Sequence, residues 1–219
     1  MIEQRTLDWF RDRLGMFTGS RIADLMTKGR GKDDVFSKTA MAYIYEVTYE
    51  RMLDDDVVGD DTQFGEYLDE TNVTSKAMRW GTENEPFARQ RYEEATLEVV
   101  EETGSVHHPN HVTFSASPDG LVGTDGCLEI KCVGKTNWVR YLGIKDGDTL
   151  KIIEPRYYWQ VQAEMACTGR EWCDFVCYNP FVKEPLHIAR IARNDADIDT
   201  MTERVMLAEE IIQRTILNT

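Results

Sequence analysis

The chain has 219 residues, a formal net charge of −14 at pH 7 and 42% hydrophobic residues. That length suits one substantial domain, residues 1–219, and aromatics spread along it argue for a packed core over disorder. No apolar run of about 18 residues is present, so no membrane span is expected, and the opening MIEQRTLDWF lacks a secretory pattern, which points to a cytosolic protein.

Five cysteines (127, 132, 167, 173 and 177) form no C-x-x-C pair, and their odd number argues against a disulfide framework. The acidic balance argues superficially against nucleic acid as a partner. Its distribution softens that objection. Residues 54–74 hold eight acids and no base, whereas residues 1–53 carry nine bases against eight acids. The acidic stretch reads as a solvated insertion, and any DNA path would be local, built from a few placed bases.

In chain order, Thr6 to Leu14 reads as a short amphipathic helix ended by Gly15. Thr18-Gly19-Ser20 then precedes an apolar-periodic run, so Thr18 or Ser20 is expected to cap a second helix. A helix start with two hydroxyls and Arg13 just before it suits an anion; a capped helix and a surface arginine explain the same residues. Lys28 to Lys32 is a basic loop, with Val35 and Phe36 following in a polar setting. Helices are expected over Thr39–Met52 and Lys76–Leu97, the latter carrying Glu85.

Strands follow at Val99–Val100, Val106, Val112–Phe114, Leu121–Val122 and Leu128–Val133, with His107, His108 and His111 at a hairpin tip. Within Ser115–Cys132, the turn Pro118-Asp119-Gly120 leads through a hairpin to Leu128-Glu129-Ile130-Lys131-Cys132. Alternation there places Glu129 and Lys131 on one strand face, about 7 Å apart. The hairpin can bring Asp119 beside Glu129, and two converging carboxylates suit Mg²⁺. An ordinary turn and an edge-strand charge pattern account for the same residues equally well.

Helices over Trp138–Leu142 and Arg156–Met165, strands over Trp172–Tyr178 and Leu186–Ile191, and a helix over Asp195–Leu217 complete the chain. Gln160 and Glu164 lie one turn apart on the second of these helices. The order predicts an α+β fold with a mixed sheet flanked by helices.

Taken together, these pieces resemble the lambda exonuclease (YqaJ-type viral recombinase) family of the PD-(D/E)xK nuclease superfamily. The resemblance runs from Trp9 to Pro180. It rests on Arg13-Leu14-Gly15 with Thr18-Gly19-Ser20, on Trp80-Gly81-Thr82-Glu83-Asn84-Glu85, on Ser117-Pro118-Asp119-Gly120-Leu121, on Leu128 to Cys132, and on Gln160-Val161-Gln162, all in the family's order. It implies a restriction-endonuclease-like core with Asp119, Glu129 and the Ile130 carbonyl as Mg²⁺ ligands. By the same resemblance Lys131 orients or activates the attacking water, Glu85 reaches a second ion or its waters, and Gln160 positions the nucleophile. Mn²⁺ is the expected substitute metal.

Arg13, Thr18 and Ser20, with Ser117 beside them, would hold a 5′-phosphate. The implied activity is 5′→3′ digestion of linear double-stranded DNA to mononucleotides, leaving a 3′ single strand. The implied assembly is a ring-shaped homotrimer in a bacterial cytoplasm, phage- or prophage-encoded, partnered in recombination by a single-strand annealing protein. Val35 and Phe36 are expected to form an apolar wedge at the duplex end. Competing readings are a PD-(D/E)xK endonuclease or 3′-directed nuclease, and a non-catalytic DNA-binding module. The end pocket argues against the former, and two clustered, mutually repelling carboxylates argue against the latter.

Overall fold

A computed structural model describes residues 2–31, 34–71 and 75–218. Its elements are α1 (Leu7–Arg13), β1 (Phe17–Thr18), α2 (Ile22–Leu25), α3 (Lys38–Glu50), α4 (Asp55–Gly59), α5 (Asp61–Thr71), α6 (Lys76–Thr96), β2 (Val100–Glu101), β3 (Val106–His107), β4 (Phe114–Ala116), β5 (Gly120–Val122) and β6 (Gly126–Cys132). They continue with α7 (Lys135–Tyr141), α8 (Gly147–Ile153), α9 (Pro155–Thr168), β7 (Trp172–Tyr178), β8 (Leu186–Ala192) and α10 (Asp195–Leu217).

The fold is α+β, with two sheets where the sequence suggests one. A five-stranded mixed sheet runs in the order β2-β5-β6-β7-β8, and a three-stranded sheet in the order β1-β4-β3. β6 is the central strand, antiparallel to β5 and parallel to β7. Its alternation sorts side chains between two cores. Leu128 and Ile130 pack with Ala88 and Tyr92 of α6. Cys127 joins Phe175, Val161, Met165 and Trp138 in the core formed with α7, α8 and α9. A third core ties α2, α3 and α10 to the small sheet through Ile22, Ile44, Phe114 and Met201.

The helix starts follow from local chemistry. Thr6, Ser37 and Ser75 cap α1, α3 and α6 by accepting the backbone N–H of the third helical residue. Gly15 ends the α1 turn with φ +69°, a region that costs a side-chain-bearing residue.

Two expectations need correction. Neither Thr18 nor Ser20 caps α2: Thr18 lies in β1, and the cap position is Arg21, with no side-chain bond. Backbone pairing of Phe17 and Thr18 with β4 draws this segment into the sheet. The strand expected at Val112–Phe114 starts at Phe114, and Val112 is exposed. The eight acids of the acidic stretch are exposed, as expected of a solvated segment, but its described backbone folds into α4 and α5, anchored by the buried Phe64. Arg11 fastens it to α1, bonding the Val58 carbonyl at 2.8 Å and Asp61 at 2.6 Å. Residues 72–74 of that stretch and Lys32 of the basic loop lie outside the described residues.

Candidate active site

The hairpin of β5 and β6 sets the carboxylates. Gly120 pairs with Leu128, and the Asp119 N–H donates to the Leu128 carbonyl at 2.9 Å. That register brings the Asp119 side chain across to β6, where Oδ2 accepts the Ile130 N–H at 2.7 Å. Glu129 is buried on the neighbouring position. Its Oε1 accepts from Gln160 Nε2 at 2.6 Å and pairs with the Lys131 ammonium. The Lys131 Nζ also sits 4.6 Å from the centre of the Tyr157 ring.

The charges lie close enough to act on one another. Burial, then the repulsion of Glu129 and Glu85, lifts the Asp119 carboxyl well above the usual carboxylate range. Burial works to lower the Lys131 value, but Glu129, Tyr157 and Asp119 outweigh it and keep the ammonium above an ordinary lysine. Glu164 lies one turn behind Gln160, fully buried, its carboxyl raised by burial and by Glu129.

The donor set fits a hard divalent cation. Glu129 Oε2 is buried and has no hydrogen-bond partner, and a buried, unsatisfied carboxylate oxygen is costly unless something cationic completes it. Two carboxylates suffice for Mg²⁺, which keeps several waters. Among the described residues no larger group of His, Cys, Asp or Glu gathers to hold a metal. Glu85 faces the site from α6 but is engaged by two arginines, Arg5 at 2.5 Å and Arg89 at 3.1 Å.

Arg13, Ser20 and Ser117 converge beside this centre. Arg13 Nη1 donates to Ser117 Oγ at 2.8 Å, and Nη2 lies 3.5 Å from Ser20 Oγ. The guanidinium stacks over Trp9, 4.1 Å from its ring centre. Among the described residues it forms no salt bridge, Asp12 and Glu50 acting on it only at longer range, and burial lowers its pKa to about 10. A cation held in this way favours an incoming anion. Thr18 is buried at the cavity wall, its N–H bonded to the Tyr43 hydroxyl at 2.8 Å. The cavity is about 600 Å³, and α5 closes one side of it with Tyr67, Leu68 and Thr71.

Val35 and Phe36 separate in the structure. Val35 is exposed, whereas Phe36 packs on the core beneath Arg204, whose guanidinium is 4.7 Å from the ring centre. Several contributors have weak signals in the sequence. Trp9 stands one helical turn before Arg13, a spacing that permits stacking, but nothing local marks Arg5 or Tyr43 as neighbours of the site. Gln162, on the other side of α9 from the cleft, is a structural pin: it donates to the Ala192 carbonyl and accepts from the Asn194 N–H.

A mixed sheet flanked by helices, with a hairpin Asp facing a Glu-x-Lys strand, defines a nuclease core of the PD-(D/E)xK type. Residues 8–171 match the YqaJ-like viral recombinase domain, and the chain belongs to that family. Its fold matches the crystal structure of an alkaline exonuclease (LHK-Exo) from Laribacter hongkongensis at 36% identity, covering 97% of this chain and 95% of that one, with a TM-score of 0.75. A second structure, LHK-Exo in complex with dAMP, matches with the same values. A phage-related exonuclease from Haemophilus somnus 129PT shares the fold at 14% identity, covering 93% of this chain and 96% of that one, with a TM-score of 0.67. No curated protein matches the sequence. The chain is an exonuclease of the YqaJ and alkaline exonuclease type. Among the described residues no helix is long and apolar enough to cross a membrane.

Proposed function

We propose that the chain digests one strand of linear double-stranded DNA in the 5′→3′ direction, releasing mononucleotides and leaving a 3′ single strand. The observation that carries this reading is a shared wall. Ser20, Met78, Lys131 and Tyr157 line both the Arg13 cavity and the adjoining cleft that holds Asp119. A terminal phosphate seated on Arg13 would therefore place a nearby phosphodiester at the carboxylates, and the fixed end sets which bond is cut.

Asp119, Glu129 and the Ile130 carbonyl would hold Mg²⁺, with Mn²⁺ as a substitute and Glu85 serving a second ion once Arg5 gives way. When bound, Mg²⁺ supplies a more acidic water and charge stabilisation at the scissile phosphate. Lys131, kept as an ammonium by its carboxylate neighbours, is a donor: it orients the water and meets developing negative charge. Gln160 offers its amide to the same water. Arg13, Ser20 and Ser117 bind the 5′-phosphate, with Thr18 shaping the wall. The exposed Val35 is the better candidate of its pair for an apolar wedge at the duplex end.

Assembly as a homotrimeric ring accounts for weak overall electrostatics, because a threaded strand cannot readily diffuse away from an acidic protein. The 3′ strand so produced suits a single-strand annealing protein in phage-type recombination. The reading is tested with linear duplexes labelled on one strand, beside a closed circle. Stepwise shortening of a 3′-labelled strand from its 5′ end, with the circle untouched, is expected; cutting of the circle, or immediate loss of the 3′ label, would overturn it.

A further inference from the structure

Gln160 is held from two sides by acids. Its Nε2 donates to Glu129 Oε1 at 2.6 Å and to Glu164 Oε1 at 3.1 Å. An amide oxygen in that place would face two carboxyl oxygens, so the pair of acceptors decides which end of the amide points inward. The Gln160 carbonyl oxygen takes no hydrogen bond from the described protein, and Gln160 lines the cavity shared with Arg13 and Lys131. Glu164 is itself fixed: Cys173 Sγ donates to its Oε2 at 3.7 Å, and the side chain is 1% exposed. Among the described residues no lysine or arginine pairs with it, and a buried carboxyl without a basic partner costs stability. Its presence calls for a job in the site.

We propose that Glu164 is a positioning residue that fixes the Gln160 amide, turning Nε2 onto Glu129 and presenting the carbonyl oxygen to the cleft as an acceptor for the attacking water. The inference rests on the reading that Gln160 positions that water. Glu164 also lies against the Glu129 carboxylate; in the proposed role it acts through the amide, and the Mg²⁺ dependence of the variants separates the two contacts. Without it, one acceptor remains and the amide can rotate, offering N–H groups where an acceptor is needed.

The test is a double-mutant cycle on the full chain digesting linear duplex DNA, using Gln160→Leu, Glu164→Met and the double variant. Glu164→Met keeps the volume and removes the acceptor. It is expected to lower kcat about 10- to 100-fold with KM for DNA unchanged, and the double variant is expected to be no slower than Gln160→Leu alone. Glu164→Gln, which still presents an acceptor, should recover most of the lost rate. Should Glu164→Met fail to fold, Glu164→Asp replaces it in the cycle, keeping the acid but withdrawing it from Gln160 by one methylene.

Multiplicative losses in the double variant would show that Glu164 acts independently of Gln160 and overturn the proposal. So would a rate restored by raising the Mg²⁺ concentration, which would place Glu164 with the cation. An unaffected Gln160→Leu enzyme would instead remove the underlying reading of Gln160.

Discussion

Arg13 Nη1 donates to Ser117 Oγ at 2.8 Å, and Ser117 stands two residues before Asp119. One short segment between β4 and β5 therefore joins the anion cavity to the carboxylate hairpin. On the proposed function, a 5′ end seated on Arg13 would lie a fixed two-residue step along this segment from the carboxylate of Asp119.

Arg13→Ala is expected to remove the preference for phosphorylated 5′ ends. A hydrogen bond to a charged group contributes about 1.5–3 kcal/mol, so kcat/KM on 5′-phosphorylated duplex should fall about 10- to 100-fold. The rate on 5′-hydroxyl duplex should change far less. Comparison of the two substrates checks this, and an equal loss on both would place Arg13 outside the end pocket.

The acidic segment is a wall of that pocket. Phe64 is fully buried and stacks on Tyr67, their ring centres 6.0 Å apart. Phe64→Ala should cost about 3–5 kcal/mol, measured by denaturant unfolding, and should also weaken discrimination between phosphorylated and hydroxyl ends. Loss of stability with discrimination intact would separate α5 from the pocket.

Val35 and Phe36 should behave differently. Phe36→Ala removes a ring packed under Arg204 and is expected to lower the Tm. Val35→Ala should leave the Tm unchanged while slowing duplex digestion more than single-strand digestion. Equal slowing on both substrates would remove the wedge.

Acidity should matter to the metal-free protein. Asp119 and Glu164 have raised values in the fold, so between their unfolded and folded values the native state binds more protons than the unfolded one. Stability from these groups is full below about pH 4 and is lost as pH rises through the folded values. The Tm of the metal-free protein should accordingly fall with rising pH across that window, and Mg²⁺ should raise it most at the alkaline end. Replacing Glu164 with Gln should flatten the dependence; an unchanged slope would mean that these carboxyls do not carry it.

Much of this architecture is legible in the chain. Alternation in Leu128–Cys132 places Glu129 and Lys131 on one face, and Asp119 follows from the hairpin. The strand at Trp172–Tyr178 and the helix at Asp195–Leu217 carry unambiguous periods. The remainder depends on contacts distant in sequence. Thr18 and Ser20 look like helix caps because hydroxyls before an apolar run usually are, yet pairing with β4, nearly a hundred residues on, captures Thr18 in a strand. The acids of residues 54–74 hide Phe64, the fully buried residue of α5. Gln162 and Glu164 read as ordinary helical polar residues; only packing shows that they are buried and bonded.

The most direct measurement follows the stepwise shortening of a 3′-labelled strand in linear duplex by the wild type and by Lys131→Ala in Mg²⁺. Shortening from the 5′ end is expected with the wild type, faster when that end is phosphorylated, and none with a folded variant that still binds DNA. Equal shortening by both proteins, early loss of the 3′ label, or DNA binding without cleavage by the wild type in Mg²⁺ and Mn²⁺ would contradict this mechanism.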